Sequence, residues 1–392
     1  MAVPLIANRV RAVSDAQFDA LKLTAAELRA AGHDVINLGQ ALPGWGPPPS
    51  ALDAAARALA DEDTHVYSAD AGLPALREAL AARLRQTHDA DVAADEILIT
   101  AGANQAFLVA AMTAIDAGDE VLLPSPFFIN HQMSIEAIGA VPIAVPLRED
   151  EGFALRWSDL AGHVTSRTRA VVLCSPSNPT GAVIDPGELE RIAAGLAARD
   201  VTLICDETYH RLVYDQAVHR SGASLPGWRR HVIVVGTCSK SFGMTGWRVG
   251  YLLAGADVCE QAIKLQDAMI ICAPVIAQRA ALAAIEQDWD YPLRFGPELA
   301  ARRATLAREI DRMPGWRWTR TGGGLFAFVR IEGCRDSAAL AARALAETHV
   351  VTIPGSMFGA SGEGCLRLSY GAVASERLAE ACRRLARIEH PA

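Results

Sequence analysis

The segments VTLICDETY (201–209) and VIVVGTCSKSFGMTGWRVGY (232–251) decide the fold. Each opens on an apolar run that passes directly into a turn carrying charged, hydroxyl or glycine residues. A run with no polar–apolar alternation buries both its faces, as a strand does in a parallel sheet covered by helices. Outward from these two, the same texture recurs at EILIT (96–100), EVLLP (120–124), VPIAV (141–145), AVVLC (170–174) and VGYLLAG (249–255), with Ala-rich helical stretches between them. The chain therefore reads as α/β, with a three-layer large domain built on a mainly parallel sheet. Open sheets of this kind place their ligands at strand ends, so the functional residues are expected there.

Beyond about residue 285 the texture changes to helices near 297–312, 337–347 and 375–388 and to strands such as LFAFVRI (325–331) and CLRLSYG (365–371), the pattern of a smaller α+β domain. At the other end, Ser14 to Gly32 reads as a helix with Ser14 as its cap and Gly32 as its stop. The Pro/Gly-rich stretch from Pro43 to Pro49 must be a loop, because proline supplies no amide donor. The expected division is an N-terminal segment, 1–50, that packs with the small domain, a large domain over 51–284 and a small domain over 285–392.

The 392 residues are 51% hydrophobic and 21% charged, which excludes a disordered or fibrous chain. Net charge is −8 with no block of like charges, so nothing recruits nucleic acid or an anionic membrane. The eight cysteines are scattered, with no CxxC pair and no zinc spacing; they read as small buried hydrophobes in a reducing compartment. No metal is expected, since Asp206, Glu207 and His210 have no second ligand segment to join them. The start MAVPLIANRVRAV is interrupted by Asn8, Arg9 and Arg11, and no apolar stretch approaches the length of a membrane span. A cytoplasmic location is expected.

Five segments carry chemistry: TAGANQAF (100–107), SPSNPTG (175–181), DETY (206–209), SKSFGMTGWRVGY (239–251) and RLSYG (367–371). In letters, order and spacing the chain resembles the class I/II aminotransferases, the aspartate-aminotransferase-like enzymes of pyridoxal phosphate fold type I. The likeness covers nearly the whole length. It implies pyridoxal 5′-phosphate as cofactor, amino acids and keto acids as substrates, and a homodimer with shared active sites.

Residue by residue, the resemblance implies that Lys240 is the Schiff-base lysine and proton shuttle, its amine made nucleophilic by burial or nearby cations. Asp206 keeps the cofactor's ring nitrogen protonated, and Tyr209 and Asn178 bond its phenolic oxygen; SNPTG is also a sound turn in its own right. The backbone at Ala103 and Asn104, the hydroxyls of Thr237 and Ser239, and Arg248 hold the phosphate, with Tyr67 reaching it from a neighbouring subunit. Phe128 stacks on the ring, Phe127 being the alternative if the two point to opposite faces. Arg367 grips the substrate carboxylate and so selects which Cα bond breaks.

Two departures from the family pattern bear on the substrate. Many relatives have a glycine where this chain has Ala41, within QALPGW, and an aromatic, often tyrosine, where it has His131. Ala41, Trp45 and His131 join Asn178 and Arg367 as expected substrate-side residues. With no second arginine for a distal carboxylate, and with Trp45, Leu42, Phe128 and Phe358 as an apolar wall, a neutral or aromatic amino acid is expected. The glycine run TGGGLF lacks dinucleotide-binding spacing, and Met269 and Ile270 read as pocket wall or core. Transamination is the expected reaction; β-elimination or decarboxylation on the same cofactor is the alternative, and a non-catalytic sensor a remote one.

Overall fold

A computed structural model describes residues 5–15 and 18–388. The N-terminal segment contributes a two-residue strand, β1 (Ile36–Asn37). Seven strands follow: β2 (Ile97–Thr100), β3 (Glu120–Ser125), β4 (Val141–Pro146), β5 (Thr168–Cys174), β6 (Thr202–Asp206), β7 (Val232–Thr237) and β8 (Gly250–Leu253). They form one sheet in the order β2-β8-β7-β6-β5-β3-β4, parallel except for β8, which runs antiparallel to both its neighbours.

Successive residues along these strands feed two separate cores. Val121, Val172, Ile204, Ile233, Val235 and Leu252 pack with Phe107 and Val109 of the helix Ala103–Ala114. Leu122, Val171, Leu203, Val234 and Leu253 pack the other way, against Leu76 and Leu80 of the helix Pro74–His88 and Ala280 and Ala284 of Val275–Gln287. A period of two with both phases apolar is what two covered faces require. VPIAV departs from that expectation: β4 is the sheet edge, and Val141 is 40% exposed.

The C-terminal part adds β9 (Trp316–Trp318), β10 (Phe326–Ile331), β11 (Val350–Val351), β12 (Ile353–Pro354) and β13 (Cys365–Ser369). Four of them make an antiparallel sheet ordered β12-β13-β10-β9, while β11 pairs in parallel with β1. The helices Gly296–Ile310, Ser337–Thr348 and Ser375–Leu385 bury Leu306, Leu345 and Leu378.

The single helix read from Ser14 to Gly32 needs correction. The described helix is Phe18–Ala30, and residues 16 and 17 lie outside the described residues. Ser14 lies outside the described helix, and its amide and Oγ donate to the Glu136 carboxylate at 2.7 and 3.0 Å. Gly32 does stand just past the helix end, at φ +88°. After the Pro43–Pro48 loop a helix starts at Pro49, where a missing amide hydrogen is no loss. All eight cysteines are free; Cys205, Cys238, Cys259, Cys365 and Cys382 are buried, whereas Cys174, Cys272 and Cys334 are partly exposed.

Candidate active site

The ends of β5, β6 and β7 open on a cavity of about 360 Å³, within the range of small-molecule sites. Lys240, Asp206, Tyr209, Asn178, Phe128, Ala103, Asn104, Thr237, Ser239, Arg248, Arg367 and Ala41 all line it. Trp45, His131 and Tyr67 do not.

Asp206 is the last residue of β6 and is buried. Burial alone would raise its pKa, but the carboxylate accepts from His131 Nε2 at 2.9 Å and from the Thr208 amide at 2.9 Å, and the net shift is downward. It therefore stays ionised in a dry setting. His131, expected on the substrate side, is instead buried against this carboxylate, with Phe107 at 4.3 Å and Phe128 edge-on at 5.4 Å between ring centroids. Its helix, Ile129–Ala137, begins right after Phe128, so one turn carries the ring toward β6.

Lys240 lies in the four-residue turn Cys238–Ser241 that follows β7. Its Nζ donates to the Ala41 carbonyl at 2.6 Å. Burial brings its pKa down to about 8, aided by Arg367 and Arg248 and opposed by Asp206. A substantial neutral fraction near pH 7.5 is the condition for an amine nucleophile.

One end of the cavity is built for an anion. The helix Ala103–Ala114 starts there after Gly102 at φ +85°, so its first amides have no intrahelical acceptors. Thr237 Oγ1 donates to the Val249 carbonyl at 2.9 Å and lies 2.9 Å from Ser239 Oγ. Arg248, itself at φ +58°, donates to the carbonyls of Thr245 (3.0 Å) and Ala101 (3.2 Å), which brings its guanidinium to the same place.

At the other end, Arg367 of β13 is only 3% exposed. Nη1 donates to Asn178 Oδ1 at 2.8 Å and Nη2 to the Gly39 carbonyl at 2.6 Å, while Nε is buried with no partner among the described residues. Phe326 and Phe358 flank the guanidinium at 4.6 and 5.1 Å. Burial lowers its pKa to about 10, so it remains a cation at neutral pH. No side-chain carboxylate among the described residues pairs with it, which leaves that role to a bound one.

The phenylalanine pair resolves plainly. β3 ends at Ser125, so both rings lie beyond the strand; Phe128 faces the cavity, and Phe127 is buried with its amide on the Phe358 carbonyl at 3.0 Å. Tyr209 is buried edge-on to Phe326 at 5.4 Å, and burial pushes its phenol far up, with Arg367 opposing. Trp45 stacks on Phe295 at 4.4 Å and Phe358 is fully buried, so neither forms the expected apolar wall. Tyr67 is 74% exposed. The lining adds residues the sequence did not single out: Lys22, Gln40, Asn130, Thr208 and Thr245. Thr208 had a signal in Asp-x-Thr, a local Asx turn; Lys22 had none, because a lysine in a polar helix reads as solvated surface.

A part-buried lysine, a charge-stabilised carboxylate and an anion cup at the strand ends of a seven-stranded α/β sheet, faced by an arginine of the small sheet with no carboxylate partner among the described residues, define a cofactor enzyme that handles a carboxylate substrate. Comparison with known proteins makes the class specific. Residues 33–385 match the family "Aminotransferase class I and II", and the chain belongs to that family. It is 35% identical over 387 residues to a probable aspartate/prephenate aminotransferase of Aquifex aeolicus, covering 97% of each chain. With an aromatic-amino-acid aminotransferase of Thermococcus litoralis it shares 34% identity, over 90% of this chain and 91% of the other. Among solved structures, a Thermus thermophilus aspartate aminotransferase double mutant superposes with a TM-score of 0.92 at 31% identity, covering 98% of this chain and all of the other. The protein is an aminotransferase-class enzyme, and members of its family use pyridoxal 5′-phosphate.

Proposed function

We propose that this chain transfers the amino group of an α-amino acid using pyridoxal 5′-phosphate held at Lys240. The observation that carries the proposal is that Lys240 Nζ, the Asp206 carboxylate and the Arg367 guanidinium face one cavity whose remaining end is an anion cup. The residues fit that cofactor: the Ala103–Asn104 helix start, Ser239, Thr237 and Arg248 suit its phosphate, Asp206 suits a protonated ring nitrogen, Phe128 a ring face, and Tyr209 and Asn178 its phenolic oxygen. Bound there, the cofactor supplies an aldehyde carbon for amines and a ring that withdraws electrons from Cα. Arg367 and Asn178 orient the substrate carboxylate, and Lys240 Nζ moves the proton from substrate Cα.

Tyr67, exposed in its own chain, is offered to a second copy in a homodimer; doubling of the mass in light scattering tests this. The separate small-domain core and the β1–β11 pairing support two parts, with the segment around Ile36 belonging to the C-terminal one. The helix Val275–Gln287 runs through 284/285, however, and Ile285 and Trp289 pack in the large core, which favours a boundary beyond Trp289. No described helix is long and apolar enough to cross a membrane, and the free cysteines suit a cytoplasmic location.

Neutral or aromatic amino acids remain the first substrate reading, in keeping with the name of the Thermococcus relative. A second reading, an acidic side chain, is favoured by Lys22 and Asn130 in the cavity lining and by the name of the Aquifex relative. The decisive experiment mixes cofactor-loaded protein with an amino-acid panel and no keto acceptor. One equivalent of 2-oxo acid per site is expected; continuous ammonia with pyruvate, or carbon dioxide, would replace transamination by elimination or decarboxylation. The same panel separates the two substrate classes.

A further inference from the structure

The turn after β6 sends Asp206, Thr208 and Tyr209 into the cavity but not Glu207 or His210. His210 instead meets two imidazoles from distant parts of the chain. His88, the last residue of the helix Pro74–His88, lies 5.2 Å away between ring centroids at 70°, and His219 lies 5.9 Å away at 47°. His88 and His219 are 5.8 Å apart at 88°. His210 Nδ1 pairs with the Glu207 carbonyl at 2.8 Å, closing the turn that holds Thr208 and Tyr209. The Nε2 atoms of His88 and His210 and both ring nitrogens of His219 are buried with no hydrogen-bond partner among the described residues. Buried polar atoms are rarely left so, and here they gather at one place.

The surrounding charges are few. Glu207 accepts from Ser221 Oγ at 3.1 Å and the Gly222 amide at 2.7 Å, and its Oε2 lies 3.4 Å from His219 Nε2. Arg211 faces the cluster from the same turn, held by Asp290 at 3.0 Å above the Trp289 ring, with Tyr251 of β8 and Arg83 as its further neighbours. Among the described residues no group of His, Cys, Asp and Glu is arranged to hold a metal ion, and Arg211 opposes a bound cation. What the cluster can take up is a proton.

We propose that His88, His210 and His219 form a proton-linked clamp on the cofactor-facing turn: packed together, with His88 and His210 uncharged, they fix Asp206 and Tyr209 in place, and protonation of His88 or His210 opens the packing and releases them. His210 is then a positioning residue, acting through the backbone it shares with Tyr209. Burial holds His210 well below the ordinary histidine range, with His88, His219 and Arg211 adding to the effect. It lowers His88 as well, against the pull of Glu207. A histidine lowered in the folded state contributes stability that is complete above its unfolded value, about 6.5, and is lost as pH falls below it.

The test compares wild type with His88→Leu, a residue outside the cavity. Thermal midpoints of the cofactor-free protein are followed from pH 8 to pH 5. The two curves should run parallel above pH 7 and cease to be parallel below about 6.5, the wild type losing up to ~10-fold more in its folding constant per pH unit for the one extra proton. In loaded protein, the pH at which half the cofactor absorbance is lost should fall in the variant, with no difference at pH 8. Parallel midpoints throughout, or an unmoved release pH, would overturn the clamp. The coupling to Asp206 and Tyr209 rests on the proposed cofactor; if no cofactor binds, that proposal fails, while the midpoints still decide the proton uptake. Should His88→Leu not fold, His88→Gln, which keeps a polar side chain, replaces it in both measurements.

Discussion

Replacing His131 by Phe isolates the contact that holds the central carboxylate ionised. Asp206 is buried and accepts from two donors, His131 Nε2 and the Thr208 amide, both at 2.9 Å. His131 is the strongest influence opposing burial. A hydrogen bond to a buried charged group contributes about 1.5–3 kcal/mol, which is about 1–2 pKa units at 1.36 kcal/mol per unit. Without it, burial is opposed by Thr208 and the nearby Lys240 charge, and the Asp206 pKa rises by that amount. Because a lowered carboxylate contributes stability above its unfolded value in proportion to the lowering, the variant should have less of that contribution at neutral pH, and none once its Asp206 pKa reaches the unfolded value. The acid limb of kcat/KM should move up by about 1–2 pH units, and His131→Gln, which keeps a donor, should restore part of the shift. The assay is a pH–rate profile from pH 3 to 9 beside circular dichroism. An acid limb that stays in place in a folded His131→Phe protein would show that His131 does not set the charge of Asp206.

Three further outcomes follow from the same geometry. Capture of cofactor by the cofactor-free protein should quicken about tenfold per pH unit up to about pH 8, where Lys240 loses its proton, and then level off; in stopped-flow absorbance, a flat profile from pH 6 to 9 would refute the buried-amine account. Arg367→Lys, which cannot reach Asn178, the Gly39 carbonyl and a substrate carboxylate with one planar fork, should lose about 10²–10³-fold in kcat/KM while cofactor absorbance is kept; steady-state kinetics with a loss under threefold would count against the carboxylate role. Gly250→Ala would place a methyl 2.6 Å from Gly102 C and 2.8 Å from the Ala103 amide nitrogen, atoms of backbone that cannot rotate away; it should destabilise the protein by about 1–3 kcal/mol and weaken cofactor retention, and an unchanged dissociation constant would argue against the Ala103 cup.

Most of the large sheet was legible because its strands are apolar in both phases, a pattern that only a doubly covered sheet explains. VPIAV misled for the same reason: its letters match a central strand, and only the pairing partners reveal that β4 lies at the edge. The cavity residues at the ends of β5, β6 and β7 were readable because motif and strand end coincide in the sequence. His131 and Trp45 were misplaced because their positions depend on helix phase and on a stacking partner, Phe295, some 250 residues away in the chain. Lys22 was invisible for a related reason. Its helix packs on Ser337–Thr348, so its place in the cavity wall is set by the far end of the chain.

The antiparallel strand explains how one arginine completes the anion cup. In the sheet register Thr100 of β2, Gly250 of β8 and Thr237 of β7 form one row. β2 and β7 end at that row, and the chain beyond them supplies Ala103 and Ser239. A parallel β8 would end there too, placing Arg248, two residues before its start, at the opposite edge, a four-residue strand away at about 3.3 Å per residue. Running the other way, β8 begins at the row and delivers Arg248 to the place where the helix amides emerge. The glycine at its first position lets the backbone of Gly102 and Ala103 approach that closely. A neighbouring row, Cys174–Asp206–Val235, brings the carboxylate level with the lysine turn. A slip of one residue between β6 and β7 would turn Asp206 to the other face of the sheet relative to the Lys240 turn, so the apolar register that buries both faces is also what holds the amine and the acid together.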